Sequence, residues 1–186
     1  TAPRASDPAE DEVNRQWLAS STKNQAENLM IVDLLRNDLG RSASIGSVKV
    51  DSLFAIESHA NVHHMVSTIT ASIKPELTAV DVFCNAFPGG SITGAPKRRA
   101  LEIIAELEVA PRGLYCGSFG YFDHSGSSDF NILIRTIEAA ADGAWCWGGG
   151  GIVIDSDAAS EYQEVLDKIG RILSSPVLDE NTPEDC

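Results

Sequence analysis

No stretch of the 186-residue chain comes near the ~18 consecutive apolar residues of a membrane span, and no secretory leader is visible at its start. Basic residues are scarce: 14 Lys and Arg stand against 27 Asp and Glu, a formal net charge of −13. That balance argues against nucleic acid and anionic membrane as partners, and an anionic substrate needs a local positive pocket within a negative field. The four cysteines, Cys84, Cys116, Cys146 and Cys186, form no CxxC pair. So scattered a set fits reduced thiols in a cytosol better than a zinc site or a disulfide framework, and a cytoplasmic location is expected. The Walker spacing GxxxxGK[ST] is missing, as are internal repeats and low-complexity tracts. An initiator methionine is missing too: the chain opens on Thr1, as a processed product, a fragment or an unrecorded beginning would.

What is there suits one globular domain, or part of a larger one. Apolar residues make up 43% of the chain, and a chain of this length buries roughly 70% of its unfolded surface. Residues 1–25 read as a connector and helix continuing from something upstream. In them Thr1 to Asp11 (TAPRASDPAED) is turn-like, and Asp7-Pro8 starts a helix. The apolar rhythm of Trp17, Leu18, Ala26, Leu29, Met30, Val32 and Leu35 carries that helix through to Arg36, with Glu27 beside the apolar face. Asp33, Arg36, Asn37 and Asp38 read as local salt bridges before a helix end near Gly40.

Ser47 to Glu57 and Val62 to Ser72 read as strands; of the adjacent His63 and His64, at most one faces a given site. Ala79 to Phe87 is a short helix that ends at Pro88-Gly89-Gly90. The following Ser91 to Lys97 leads into a helix over Arg98 to Leu107. Amides at that helix entrance, with Lys97, can hold an anion; an ordered turn with a basic helix start is the plainer alternative. Leu114 to Asp123 and Phe130 to Glu138 read as paired strands across the turn at His124 to Ser127, and Ala144 to Trp147 starts another. Arg135 falls inside an apolar strand, where an unpaired guanidinium is expensive. A buried carboxylate partner, from protein or ligand, is therefore expected.

The densest chemistry lies in WGGGGIVIDSDAASEYQEVLD, Trp147 to Asp167. Four consecutive glycines, Gly148 to Gly151, are costly in backbone entropy unless something needs their freedom; their amides can approach and cradle an anion. Ile152-Val153-Ile154 reads as a short buried strand, and Asp155, Ser156 and Asp157 as helix caps. On that helix Glu161 and Glu164 share a face, where two carboxylates repel unless a cation or a shared proton relieves them. An anion cradle beside a carboxylate pair suggests a Mg2+-bridged, carboxylate- or phosphate-bearing small molecule; a tight glycine turn and a solvated helix face is the other reading. Residues 175–186 form an acidic, flexible tail.

Six phrases then occur in order: AENLMIVDLLRNDLGR, HHMVSTI, FPGGSITGAPKRRALEII, YCGSFGYF, ILIRT and GGGIVIDSDAASEYQEVLDK. Together they resemble the C-terminal part of the chorismate-utilising enzyme family, and make residues 26–174 its chorismate-binding region. Within the family, PGGSITGAPK and AENLM resemble the aminodeoxychorismate synthase component I branch. The resemblance implies an α/β chain of the α+β type, part of a layered sheet and helix sandwich with mostly antiparallel strands. It implies Mg2+-dependent amination of chorismate to 4-amino-4-deoxychorismate, on the way to folate, with ammonia from a glutamine amidotransferase subunit. Anthranilate synthase component I and a non-catalytic chorismate-binding module are the alternatives.

The roles carried over are specific. Glu27 and Glu164 would hold Mg2+, with Glu161 a weaker ligand through water. Tyr115, Arg135 and the amides of Gly149, Gly150 and Gly151 would line the substrate pocket. His64 would protonate the departing hydroxyl, and Ser91 would lie near the substrate. The chain departs from the family at its start, where Thr1 follows a cut inside the Pro-Ile-Lys-Gly-Thr phrase that carries a nucleophilic lysine. Asn24 also replaces an acid found in some relatives. The resemblance therefore implies a fragment that does not complete the amination alone, and that self-associates or meets a missing N-terminal half.

Overall fold

A computed structural model of the chain describes residues 1–141, 143–154 and 156–174; Asp142, Asp155 and the expected acidic tail, 175–186, lie outside them. The chain folds as two compact units that divide after Leu107.

The first unit contains strand β1 (Ala2–Pro3), helices α1 (Pro8–Ser20) and α2 (Thr22–Gly40), strands β2 (Lys49–Ser58) and β3 (Val62–Thr70), and helices α3 (Ala79–Ala86) and α4 (Lys97–Leu107), with a 3-10 turn at Gly90–Ile92. Its sheet has the order β1-β3-β2 and is antiparallel throughout. The opening residues are built into the sheet and core of this unit. Ala2 pairs with His63 and is 2% exposed, packed with Leu18 and Met65 in the core, while Phe54 and Ile56 close over them. Arg4 Nε donates to Asp11 Oδ1 at 2.8 Å and Arg4 Nη1 to the His59 carbonyl at 2.8 Å, which fastens the segment to α1 and to the β2–β3 turn.

The single long helix expected from Pro8 to Arg36 is two helices. Ser21 divides them: its N–H donates to the Leu18 carbonyl, and its Oγ accepts from the Asn24 N–H, so one residue ends α1 and caps α2. At the start of β3 burial alternates. His63 and Met65 are buried, and α2 lies on their side, where Asn28 Nδ2 reaches the Met65 carbonyl and Asn28 Oδ1 accepts from Ser67 Oγ at 2.5 Å. His64 points to the opposite face.

The second unit holds two hairpins, β4 (Ser118–Phe122) with β5 (Ser128–Ile132) and β6 (Ile137–Ala140) with β7 (Gly143–Cys146), then helix α5 (Ala158–Leu173). Asp123 closes the first hairpin, its Oδ1 accepting from the Ser125 and Ser127 amides. The strand expected over Phe130 to Glu138 is split, because Arg135 takes a left-handed backbone (φ 52°) that ends one ladder before the next begins. Ile152 to Ile154 is not a buried strand. These residues are 75%, 54% and 99% exposed and enter a turn in which Val153 N–H donates to Ser156 Oγ and Ser156 N–H to the Val153 carbonyl. With no partner strand among the described residues, their β propensity has no ladder to join. Asp157 caps α5, accepting from the Ser160 N–H at 3.0 Å; of the other two expected caps, Asp155 lies outside the described residues. The expected mixture of helices and antiparallel strands is what is observed, and no described helix is long and apolar enough to cross a membrane.

Candidate functional site

In the second unit the glycine loop is held between an aromatic pair and α5. Tyr115 and Trp147 stack nearly parallel, with ring centroids 6.0 Å apart and planes 9° apart, and the Arg112 guanidinium lies 5.7 Å from the Tyr115 centroid. A Cβ on Gly149 would overlap the Tyr115 hydroxyl. One on Gly148 would meet Ile169 Cγ2 at 2.5 Å and Val165 Cγ1 at 3.2 Å. At these two positions the glycines are a packing requirement as well as a source of accessible amides. Among the described residues nothing lies within 4 Å of a Cβ on Gly151.

Lys168 bridges the loop and the acids. Its Nζ pairs with Glu164 Oε1 at 2.5 Å and donates to the Gly149 carbonyl at 3.5 Å. Glu161 accepts from Ser156 Oγ at 2.7 Å, and its other oxygen lies 3.3 Å from where a Gly150 Cβ would be. The two glutamates do share a side of α5, and a cation, here an ammonium, sits against one of them. The Glu164–Lys168 spacing of four residues is the sequence signal for this pair.

Burial pushes the Tyr115 hydroxyl up to about 12, helped by the neighbouring Cys116. Burial likewise raises the Cys116 thiol. Both groups are therefore neutral near pH 7: Tyr115 offers a hydroxyl donor and an apolar wall. Trp147 Nε1 is a buried donor with no acceptor among the described residues.

Arg135 is not in an apolar strand, and no buried protein partner meets it among the described residues. It is exposed at the break between β5 and β6, and no carboxylate among the described residues pairs with it. Water solvates the guanidinium there, which removes the cost that made a partner necessary.

In the first unit, Glu27 is exposed on α2, 3.8 Å from Lys23 one turn earlier. His64 is exposed on β3, opposite Glu57 in the ladder and edge-on to His59. Its neighbour His63 is the structural one: 1% exposed, with Nδ1 on Ser58 Oγ at 2.8 Å and Nε2 on Asp11 Oδ1 at 3.1 Å. Ser91 is half-buried in the turn at Gly90–Ile92.

Lys97 is not free to hold an anion. Its Nζ lies 2.6 Å from Asp38 Oδ1 and donates to the Ala86 carbonyl at 2.9 Å, while Asp38 Oδ2 accepts from the Gly90 N–H at 2.9 Å. Asp38, 4% exposed, thus reaches across the fold, not to a neighbour on its own helix; only Asp33 and Arg36 make the local pair expected there, at 3.0 Å. Beside this ion pair an open groove of about 740 Å3 runs along α2, lined by Leu29, Met30 and Leu34 and by Pro96. No group of three or more His, Cys, Asp or Glu among the described residues is gathered closely enough to enclose a metal ion.

A family profile described as chorismate binding enzyme matches residues 1–174. The chain belongs to the chorismate binding enzyme family. Its relatives include aminodeoxychorismate synthase component 1 of Klebsiella aerogenes, 55% identical over 93% of this chain and 38% of the relative. The protein of the same name from Escherichia coli K12 is 56% identical over the same shares. Among solved structures, anthranilate synthase component I from Streptococcus pneumoniae TIGR4 matches with a TM-score of 0.79 and 38% identity, covering 90% of this chain and 40% of that one. The chain therefore spans about two fifths of the length of these chorismate-family relatives.

Proposed function

We propose that this chain is the chorismate-binding portion of an enzyme that aminates chorismate to 4-amino-4-deoxychorismate. The single observation that carries the reading is the 55% identity, across 93% of the chain, to a protein named aminodeoxychorismate synthase component 1. A name with a numbered component implies a second one; for this protein we assign that role to a glutamine amidotransferase that supplies ammonia. The site supports an anionic, ring-bearing ligand. The glycine loop offers amides beside the neutral Tyr115 wall, and Arg135 offers a guanidinium that no described carboxylate occupies. A planar fork of this kind grips a carboxylate with two bonds.

We assign Mg2+ to the acidic side of α5, where Glu164 would be a ligand and Glu161, already accepting from Ser156 Oγ, a weaker one through water; the Lys168 ammonium on Glu164 would have to give way to the ion. When bound there, the ion would neutralise a substrate carboxylate and orient the ring. Glu27 is the metal candidate of the first unit, Ser91 a substrate contact and His64 the proton donor to the departing hydroxyl; general acids of this type contribute roughly 10²–10⁴-fold. The enzyme that carries this chain, given chorismate, an ammonium salt and Mg2+, should yield 4-amino-4-deoxychorismate by liquid chromatography and mass spectrometry. Chelating the metal should abolish chorismate binding by calorimetry, and restoring Mg2+ should recover it. Anthranilate as the product would move the assignment to the alternative branch, and binding without turnover would leave a chorismate-binding module.

A further inference from the structure

The buried ion pair of the first unit is used by none of the roles above. Asp38 Oδ1 and Oδ2 take two partners of different kinds, the Lys97 ammonium at 2.6 Å and the Gly90 amide at 2.9 Å. Lys97 also donates to the Ala86 carbonyl at 2.9 Å, at the last residue of α3. These bonds hold both ends of the segment from Gly90 to Lys97, the segment that contains Ser91, against α2. The Lys97 and Asp38 side chains are 13% and 5% exposed, so water competes poorly for either charge. Gly90 leaves no slack: a Cβ there would lie 3.2 Å from Asp38 Oδ2 and 3.2 Å from Leu34 Cβ. Inside the segment, Gly94 N–H donates to the Gly90 carbonyl at 2.8 Å and Thr93 Oγ1 to the Gly89 carbonyl at 3.0 Å.

A buried charge pair adds little net stability compared with apolar side chains of the same volume, whereas removing one partner is costly. What this pair supplies is a fixed geometry. We propose that Asp38 and Lys97 are positioning residues for the chorismate reaction, which hold the Gly90–Gly94 turn so that Ser91 is presented to the substrate. The inference rests on the function proposed above. Neither residue touches substrate in this account; each acts through the turn. Misplacing a contact by about 1 Å costs up to about 10²-fold in rate.

The test uses the full-length enzyme that carries this chain, with Asp38→Asn, Lys97→Met and Lys97→Arg, and with Arg99→Gln as an exposed ion-pair control. Hydrogen–deuterium exchange read by mass spectrometry, melting temperature, and kcat and KM for chorismate are measured on each. Asp38→Asn and Lys97→Met should exchange the 88–97 segment at least about tenfold faster and lose kcat by 10-fold to 10²-fold, with KM within about twofold. Lys97→Arg should recover part of both, and Arg99→Gln should match the wild type. If either of the first two variants fails to fold, Lys97→Arg, which keeps the charge but changes its reach, still has to show the paired effect on exchange and kcat.

A lower melting temperature with unchanged kcat in the folded protein would make the pair merely structural and overturn the inference. So would a fall in kcat with no change in exchange at 88–97. A wild-type enzyme without turnover would instead sink the proposed function and the catalytic half of this inference together; the exchange data would still show whether the pair holds the turn.

Discussion

Gly149 and Gly151 are two residues apart in one loop, yet only the first is confined. A Cβ on Gly149 overlaps the Tyr115 hydroxyl, whereas none of the described residues comes within 4 Å of one on Gly151. Alanine at 149 must push Tyr115 off its stack with Trp147, and forcing an extra carbon into a packed site costs about 1–3 kcal/mol. Gly149→Ala is therefore expected to lower stability by that amount in urea denaturation and to weaken chorismate binding, while Gly151→Ala stays within about 0.5 kcal/mol. Equal effects at the two positions would mean that Tyr115 does not abut the loop. That four glycines in a row demand a reason was legible in the sequence; the reason seen at Gly148 and Gly149, close packing on Ile169, Val165 and Tyr115, was not. The Asp38–Lys97 pair was not, because a contact between residues 59 apart leaves no periodic trace. The break at Arg135 was hidden for a related reason: the apolar letters around it run on across the gap between β5 and β6, which its φ of 52° marks.

Among the elements, those that carry their own local signals were the legible ones. Thr78 and Asp81 form a reciprocal capping box on α3, Asp7 accepts from the Glu10 amide at the start of α1, and the Asp123 turn closes the β4–β5 hairpin. The elements that were misread depend on partners elsewhere. Hydrophobic spacing runs straight through Ser21, so one helix was expected where a hydroxyl separates two, and Ile152 to Ile154 had strand letters but no strand to pair with. Helix α5 offers a direct check of capping. Asp155, Ser156 and Asp157 were equivalent candidates in the sequence, and the structure assigns the cap to Asp157, whose Oδ1 also accepts from Ser160 Oγ at 2.9 Å. Loss of such a cap costs about 1 kcal/mol. Asp157→Ala should lower the melting temperature accordingly, with Asp157→Ser recovering most of the loss. Ser156→Ala should spare the cap and free Glu161, the partner of Ser156 Oγ. A melting temperature indifferent to Asp157→Ala would remove the cap from the account of α5.

At the scale of the whole chain the dominant quantity is the net charge of −13. Chorismate, the proposed substrate, is a dianion, so the summed field opposes its approach even if the amides, Arg135 and a bound Mg2+ attract it at the end. The two contributions respond to salt in opposite ways. At about 0.01 M ionic strength the screening length is roughly 30 Å and the field of the entire molecule is felt; at about 0.15 M it is roughly 8 Å and only nearby groups act. If long-range repulsion controls encounter, raising NaCl across that interval at saturating Mg2+ should increase the association rate of chorismate with this chain by roughly threefold or more, against the usual fall seen for attractive steering. The dissociation rate, set by contacts at the site, should change less. Stopped-flow fluorescence from the tryptophans separates the two rates. An association rate that falls with salt would show that the positive groups of the site outweigh the acidic surface over the whole approach, and the local pocket demanded by the charge balance would then extend its field well beyond the glycine loop.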